Sequence, residues 1–306
     1  MRLLVTGAGT LGAAVARAAR ERGDEVLLAD VRTAALDAVR CDVTDTPALM
    51  EVCGDWRPDA VLHTAGVIGR KVDAAPPLAV GVNVAGTVSV LECARRCSVR
   101  RVILASSLAV YDWSAPDPDR PLAEERAGDP GSLYGASKLA AETLARTFAG
   151  GSGLAVTALR FAGIYGGPGG GGGALLSATL ASVVRRLLAG EEVALPPLLG
   201  CAEYLAAADA ARAMLRAAED DAPPWRVFNI GAGRVHTAGE LAGVLRHVVP
   251  GARVHAAAPP LRVPPLDIDR ARTVLGFAPE IPLEEGIAAL AGEVAREEAA
   301  CTTTSS

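Results

Sequence analysis

The segment Arg2-Leu3-Leu4-Val5-Thr6-Gly7-Ala8-Gly9-Thr10-Leu11-Gly12 decides the fold. Its first five residues form a short apolar run, the signature of a strand buried in a parallel sheet. Gly7, Gly9 and Gly12 follow at once with GxGxxG spacing. Residues 13–22 are then rich in alanine, the best helix former, and Gly23 supplies the stop. Strand, glycine turn and helix in this order let a backbone approach a pyrophosphate. The glycines allow the tight turn, and the helix N-terminus offers unpaired amides and the positive end of its dipole. The next apolar run, Glu25-Val26-Leu27-Leu28-Ala29, ends at Asp30. A carboxylate there accepts hydrogen bonds from a ribose diol and repels a 2′-phosphate, so the predicted cofactor is NAD rather than NADP. Arg32, two residues on, is the residue that speaks for NADP.

The same alternation continues outward. Residues 60–63 read as a strand, 78–96 as a long helix, 101–105 as a strand, 132–149 as a helix and 154–159 as a strand. Strands alternating with helices predict an α/β fold, a Rossmann-type doubly wound parallel sheet with ligands outside the carboxyl ends of its strands. The glycine turn, His63-Thr64-Ala65-Gly66 and Ser106-Ser107 all follow strands and so converge on one edge. Residues 1–165 are expected to form the nucleotide-binding domain that carries the catalytic groups. Residues 166–300 are expected to form a small, mostly helical substrate lobe, with some segments returning to the sheet. Residues 301–306 read as a disordered tail. The run Gly166-Gly167-Pro168-Gly169-Gly170-Gly171-Gly172-Gly173 resists regular structure and is either a lid beside the substrate or a tolerated surface loop.

Tyr134 and Lys138 stand four residues apart in Tyr134-Gly135-Ala136-Ser137-Lys138, about one helical turn, so both can share one helix face. An ammonium beside a phenol favours the phenolate, and the expectation is that Lys138 lowers the Tyr134 pKa from about 10 towards working pH. Such a group suits proton exchange in an alcohol–ketone interconversion. A hydroxyl of the Ser106-Ser107 pair can hydrogen-bond the same substrate oxygen.

Composition narrows the remaining choices. The net charge of −5 and the absence of a basic block argue against a nucleic-acid partner. No apolar stretch reads as long enough to span a bilayer, and a strand from residue 2 leaves no room for a leader, so the expected place is the cytoplasm. Cys41, Cys53, Cys93, Cys97, Cys201 and Cys301 show no CxxC spacing, and the histidines are dispersed, so no metal site is expected.

Taken together, these motifs resemble the extended short-chain dehydrogenase/reductase family, in its NAD-dependent epimerase/dehydratase branch, over nearly the whole chain. The glycine segment is similar to the family's TGxxGxxG loop, one residue shorter. Asp42-Val43-Thr44-Asp45 resembles an adenine-contacting segment, and His63-Thr64-Ala65-Gly66 an element lining the cofactor. Val82-Asn83-Val84-Ala85-Gly86-Thr87 resembles NVxGT, Ser106-Ser107-Leu108-Ala109-Val110-Tyr111 resembles SSxxVYG, and Tyr134/Lys138 match YxxxK. Phe228-Asn229-Ile230-Gly231 and Leu275-Gly276-Phe277 match C-terminal landmarks.

The resemblance implies that Tyr134 is the acid/base, Ser107 orients the substrate oxygen, Lys138 holds the nicotinamide ribose and Asn83 props up the active-site end. It implies a cofactor surface of Gly7, Gly9, Thr10, Leu11, Gly12, Asp30, Arg32, Asp42, Val43, His63, Ala65, Gly66, Asn83, Tyr134 and Lys138. Ser106, Ser107, Gly163 and Tyr165 are implied to face the substrate, and a homodimer through the helices at 78–96 and 132–149 is implied as well. Three departures narrow the activity. Leu108-Ala109 replace the Asp-Glu of the dehydratases, Gly163 stands where sugar-nucleotide epimerases carry Asn, and Ala202 stands where they carry an Arg that grips a diphosphate. The leading reading is therefore a dehydrogenase or ketoreductase acting on a small-molecule secondary alcohol or ketone, sugar-like or a natural-product intermediate. The alternatives are a nucleotide-sugar 4-epimerase with bound NAD and a non-catalytic nucleotide-sensing protein.

Overall fold

A computed structural model describes residues 1–33, 37–114, 116–167, 175–220, 224–256 and 262–303. Its centre is a seven-stranded sheet in which every neighbouring pair is parallel. Six strands come from the first half: β1 (Arg2–Thr6), β2 (Glu25–Asp30), β3 (Ala38–Arg40), β4 (Ala60–His63), β5 (Arg101–Ser107) and β6 (Ala155–Phe161). The seventh, β11 (Trp225–Ile230), returns from the second half to lie beside β6, giving the order β11-β6-β5-β4-β1-β2-β3. The order reverses between β1 and β4, so the carboxyl ends of those strands open a crevice suited to a dinucleotide.

Helices cover both faces, as a parallel sheet of apolar strands requires. On one face α1 (Thr10–Glu21), α8 (Ala207–Glu219) and α10 (Asp269–Leu275) close a core built on Leu3, Val5, Leu62, Ile103 and Phe228. On the other, α2 (Thr46–Trp56), α5 (Gly86–Arg96) and α6 (Leu133–Ser152) cover Leu4, Val61, Val102 and Val156. Alanines at 13, 14, 16, 19, 210, 211 and 213 are all buried, which lets α1 and α8 approach closely. The short α3 (Arg70–Ala74) and α4 (Pro76–Val80) lead into a π-helical turn, Gly81–Ala85, and then α5. The helix expected over 78–96 is thus continuous but wound wide at Asn83, the kind of bulge that serves functional sites. Contrary to expectation, the stretch 76–96 is long and apolar enough to cross a membrane by length and composition. In this fold it instead packs on the sheet and α6, with Asn83 and Thr87 buried.

A third core belongs to the second half. It joins α7 (Leu175–Leu188), α9 (Ala238–Val248) and α11 (Leu283–Thr303) with short strand pairs: β7 (Gly163–Tyr165) with β10 (Tyr204–Ala206), β8 (Glu192–Ala194) with β13 (Arg253–His255), and β9 (Cys201–Ala202) with β12 (His236–Thr237). Glu203 ties this region to the segments after β11. Its carboxylate accepts from Gly233 N at 2.7 Å and from Leu266 N at 2.9 Å. The last helix runs through Thr303, where a disordered tail was expected from residue 301. Residues 304–306 and residues 168–174, on which the expected lid rests, lie outside the described residues.

Candidate active site

The glycine loop is shaped by close approach. Gly7 has φ +90°, and a β-carbon there would run into the backbone of Ala65 and lie 2.8 Å from Thr64 C. One on Gly12 would strike Gly7 O and lie 2.6 Å from the Thr64 hydroxyl oxygen. That hydroxyl donates to Thr6 O at 3.0 Å and Gly7 O at 2.8 Å, locking β4 to the loop. α1 begins directly after Gly9, and no side chain caps it. Its first-turn amides and positive dipole end are therefore available to an anion.

At the tip of β2, Asp30 Oδ2 accepts from Ala8 N at 2.6 Å and Oδ1 from Arg32 N at 2.8 Å. The Arg32 guanidinium turns onto the same carboxylate at 3.4 Å, so it stands as a partner of Asp30. The Asp42 carboxylate, exposed after β3, is anchored by Thr44 N and Oγ1 at 2.9 and 2.8 Å, and Val43 is buried beneath Gly86. A cradle that only glycine permits, an uncapped helix start and a fixed carboxylate at the end of β2 together fit a dinucleotide with an unsubstituted ribose.

The reactive groups meet beside this cradle. Ser107 is the last residue of β5, and its Oγ accepts from Ala109 N at 3.1 Å. Tyr134 lies in the first turn of α6, whose start is fixed by Ser132 accepting from Gly135 N at 3.1 Å. The Ser107 hydroxyl is near enough to Tyr134 to favour its ionised form. Lys138, one turn on and buried, donates from Nζ to Ala105 O at 2.9 Å and lies 6.0 Å from the centre of the Tyr134 ring. Asn83 binds the loop after β4 at both ends: Oδ1 accepts from Val67 N at 2.8 Å, and Nδ2 donates to Val67 O at 3.0 Å. Nδ2 also donates to Ser137 Oγ at 2.9 Å, so Asn83 positions α6.

Three expectations, for Ser106, Tyr165 and His63, are corrected. Ser106 does not face the substrate: alternation along β5 turns it opposite to Ser107, and its buried hydroxyl donates to Glu142. Tyr165 does not either, because it is 1% exposed and stacks edge-on with Tyr204 at 6.1 Å in the lobe core. At Gly163 the space is already filled, since a β-carbon would lie 2.8 Å from Leu176 Cδ1 and 2.9 Å from Glu203 O. The His63 ring is turned into the sheet and does not line the cofactor. It lies 2.7 Å from Thr6 Oγ1 through Nδ1 and 3.2 Å from Thr87 Oγ1 through Nε2. Thr87 spends its proton on Asn83 O, so Nε2 carries the ring proton and Nδ1 accepts from Thr6. Burial, with Lys138 adding to it, pushes this imidazole down to about 3.

The expected lowering of the Tyr134 pKa gives way to a rise, and burial is its cause. Burial pushes the Tyr134 hydroxyl up to about 12 against the effect of the Ser107 hydroxyl, and burial pushes the Lys138 ammonium down to about 8 against the pull of Glu142. Desolvation penalises both charged forms more than the distant partner rewards them. At neutral pH Tyr134 is thus a phenol, a proton donor.

Sequence reading missed Glu142, Arg160 and Tyr111. Arg160 donates to both Glu142 oxygens, from Nη2 at 2.6 Å and from Nε at 3.0 and 3.2 Å, and from Nη1 to Tyr111 OH at 3.2 Å. Tyr111 OH in turn donates to Asn229 Oδ1 at 2.6 Å. The available signal was spacing, because Glu142 follows Lys138 by one more helical turn.

Comparison with known proteins agrees with this geometry. The family model described as NAD dependent epimerase/dehydratase family matches residues 3–231. A UDP-glucose 4-epimerase of Mycolicibacterium smegmatis is 31% identical over 261 residues, covering 82% of this chain and 80% of that protein. The UDP-glucose 4-epimerase of Thermotoga maritima, solved with UDP-glucose, superposes with a TM-score of 0.85 at 27% identity, covering 97% of this chain and 99% of that one. That of Thermus thermophilus, solved in complex with NAD, gives 0.83 at 27% identity over 96% and 99%.

Proposed function

The chain belongs to the NAD-dependent epimerase/dehydratase family, and on that premise we propose that it interconverts a secondary alcohol and a ketone with Tyr134 as acid and base. NAD, when bound, supplies the site that takes up or returns hydride. Gly7, Gly9 and Gly12, with the start of α1, would hold its pyrophosphate, and Asp30 the adenine ribose. Ser107 orients the substrate oxygen, and Tyr134 gives that oxygen a proton in reduction and takes it back in oxidation. Lys138, tethered to Ala105 O, holds positive charge next to this exchange, and Asn83 keeps α6 in register.

The observation that carries the proposal is the placement of Ser107 at the end of β5 and of Tyr134 and Lys138 at the start of α6, beside a loop that admits only glycine at residue 7. Replacing Tyr134 by Phe tests it. Turnover should fall by about 10²- to 10⁴-fold while NAD still raises the melting temperature; a variant with undiminished turnover refutes the role.

The substrate reading rests on the far side of the site. With Leu176 against Gly163 and an alanine at 202, neither position offers a group that grips a diphosphate. This favours net oxidation or reduction of a sugar-like or natural-product intermediate. The second reading, a nucleotide-sugar 4-epimerase that retains its cofactor through the cycle, is favoured by the relatives named above. NADH accumulating in solution supports the first reading. Interconversion of a UDP-sugar without NADH release supports the second.

Leu78, Val80 and Val88 on the 76–96 stretch and Leu144 on α6 are exposed, which supports pairing of two copies through these helices. Light scattering should give twice the chain mass at micromolar concentration, and a monomer would refute the pairing. Cys41, Cys53, Cys93, Cys97 and Cys201 are free thiols, in keeping with a reducing cytoplasmic setting.

A further inference from the structure

Behind the reacting groups lies a buried ionic pair that no step above uses. We propose that Glu142 and Arg160 are positioning residues that together set the charge on Lys138: the carboxylate holds the ammonium protonated, and the guanidinium limits how much of that carboxylate's field the lysine feels. This inference rests on the proposed reaction, in which Lys138 supports proton exchange at Tyr134.

The geometry is specific. Lys138 and Glu142 are one turn apart on α6 and lie 9% and 4% exposed. Lys138 Nζ spends a donor on Ala105 O, while the Ser106 hydroxyl, on the next residue of the same strand, donates to Glu142 Oε1. Arg160, on β6 and 5% exposed, forks across both Glu142 oxygens, with its closest approach 2.6 Å. Its remaining nitrogen is held by Glu124 O at 2.7 Å and Tyr111 OH at 3.2 Å. The carboxylate bound by Arg160 thus lies one helical turn from the Lys138 ammonium and favours its charged form.

The other titratable groups around Lys138 do not take over this role. Tyr134 on α6 and Tyr111 after β5 are both pushed up to about 12, and His63 on β4 is pushed down to about 3, so all three are neutral near pH 7. Glu124 accepts from Asn229 N at 2.9 Å and faces Arg270 at 3.7 Å. On the helices packed against α6, Arg70, Lys71 and Asp73 are exposed, and Glu92 pairs with Arg95 and Arg96. The carboxylate that acts on Lys138 is Glu142, and the cation paired with that carboxylate is Arg160. Burial already draws Lys138 down to about 8, so a modest change in this balance moves it across neutrality.

The chain has two lysines, Lys71 and Lys138, so Lys138 can be watched alone. In a Lys71→Arg background with isotope-labelled lysine, NMR titration of the ligand-free protein reads its protonation directly. Glu142→Gln should lower the Lys138 midpoint by about one pH unit or more, and Arg160→Gln should raise it by a similar amount. The alkaline limb of the activity profile should move with each. A merely structural pair would destabilise both variants without opposite titration shifts. Circular dichroism establishes that each variant is folded. Where one is not, Glu142→Asp and Ser106→Ala carry the test, with a smaller fall and a smaller rise respectively. Midpoints that stay put, or that move the same way in both variants, overturn the proposal. Opposite shifts in a protein that proves to have no redox turnover would sink the functional reading and leave this one standing.

Discussion

His63 offers a quantitative test, because its ring is walled in between Thr6 and Thr87 and only 4% exposed. Burial and the nearby Lys138 bring its folded pKa to about 3, against 6.5 for an accessible histidine. The unfolded chain takes up a proton below 6.5 while the folded ring refuses it until about 3. Stability is therefore complete above 6.5 and drains as pH falls through this window. One pH step fully inside the window is worth about 1.4 kcal/mol, so going from pH 7.5 to pH 5 removes about 2 kcal/mol, and the ceiling near pH 3 is about 5 kcal/mol. Many carboxylates also titrate in this range, so the useful quantity is a difference between wild type and His63→Gln. The amide can donate and accept as the neutral ring does, but it cannot titrate. Urea denaturation of both proteins at pH 7.5, 6 and 5 supplies the numbers. The variant should be weaker at pH 7.5, and the gap should close by about 2 kcal/mol at pH 5. A gap that stays constant across the series would refute the buried neutral imidazole and the hydrogen-bond assignment built on it.

Two further perturbations address the cradle and the substrate side. Replacing Asp30 by Ala removes the acceptor for Ala8 N and Arg32 N and frees the Arg32 guanidinium. NAD affinity, followed by NADH fluorescence, should fall about 10-fold or more while NADP affinity holds or rises; an unchanged NAD preference would remove Asp30 from the ribose. At Gly163, an added methyl would press on Leu176 and on the Glu203 carbonyl, so Gly163→Ala should cost about 1–3 kcal/mol and lower the melting temperature by several degrees. A variant as stable as the parent would mean that the position has room for a contacting side chain.

By itself the sequence determined whatever depends on short-range periodicity and local backbone chemistry. The apolar run 2–6, the glycines at 7, 9 and 12 and the alanine-rich stretch that follows dictate strand, turn and helix, and the repeated alternation dictates a parallel sheet with its ligand edge. One helical turn places Tyr134 and Lys138 on one face of α6 wherever that helix docks. Which way a strand or a loop presents its side chains is a different matter, since it depends on what packs against each face. Ser106 and Ser107 are neighbours in the chain, yet one binds Glu142 in the interior and the other meets Tyr134. His63 and Tyr165 sit in segments that read as ligand-facing, and both are claimed by partners far along the chain. The expected acidic shift of Tyr134 failed for the same reason, because spacing conveys proximity but not desolvation, and burial is decided only when β5, β6 and α6 close together. The Glu142–Arg160 pair, joining residues eighteen apart through two elements, exists only in that assembled core.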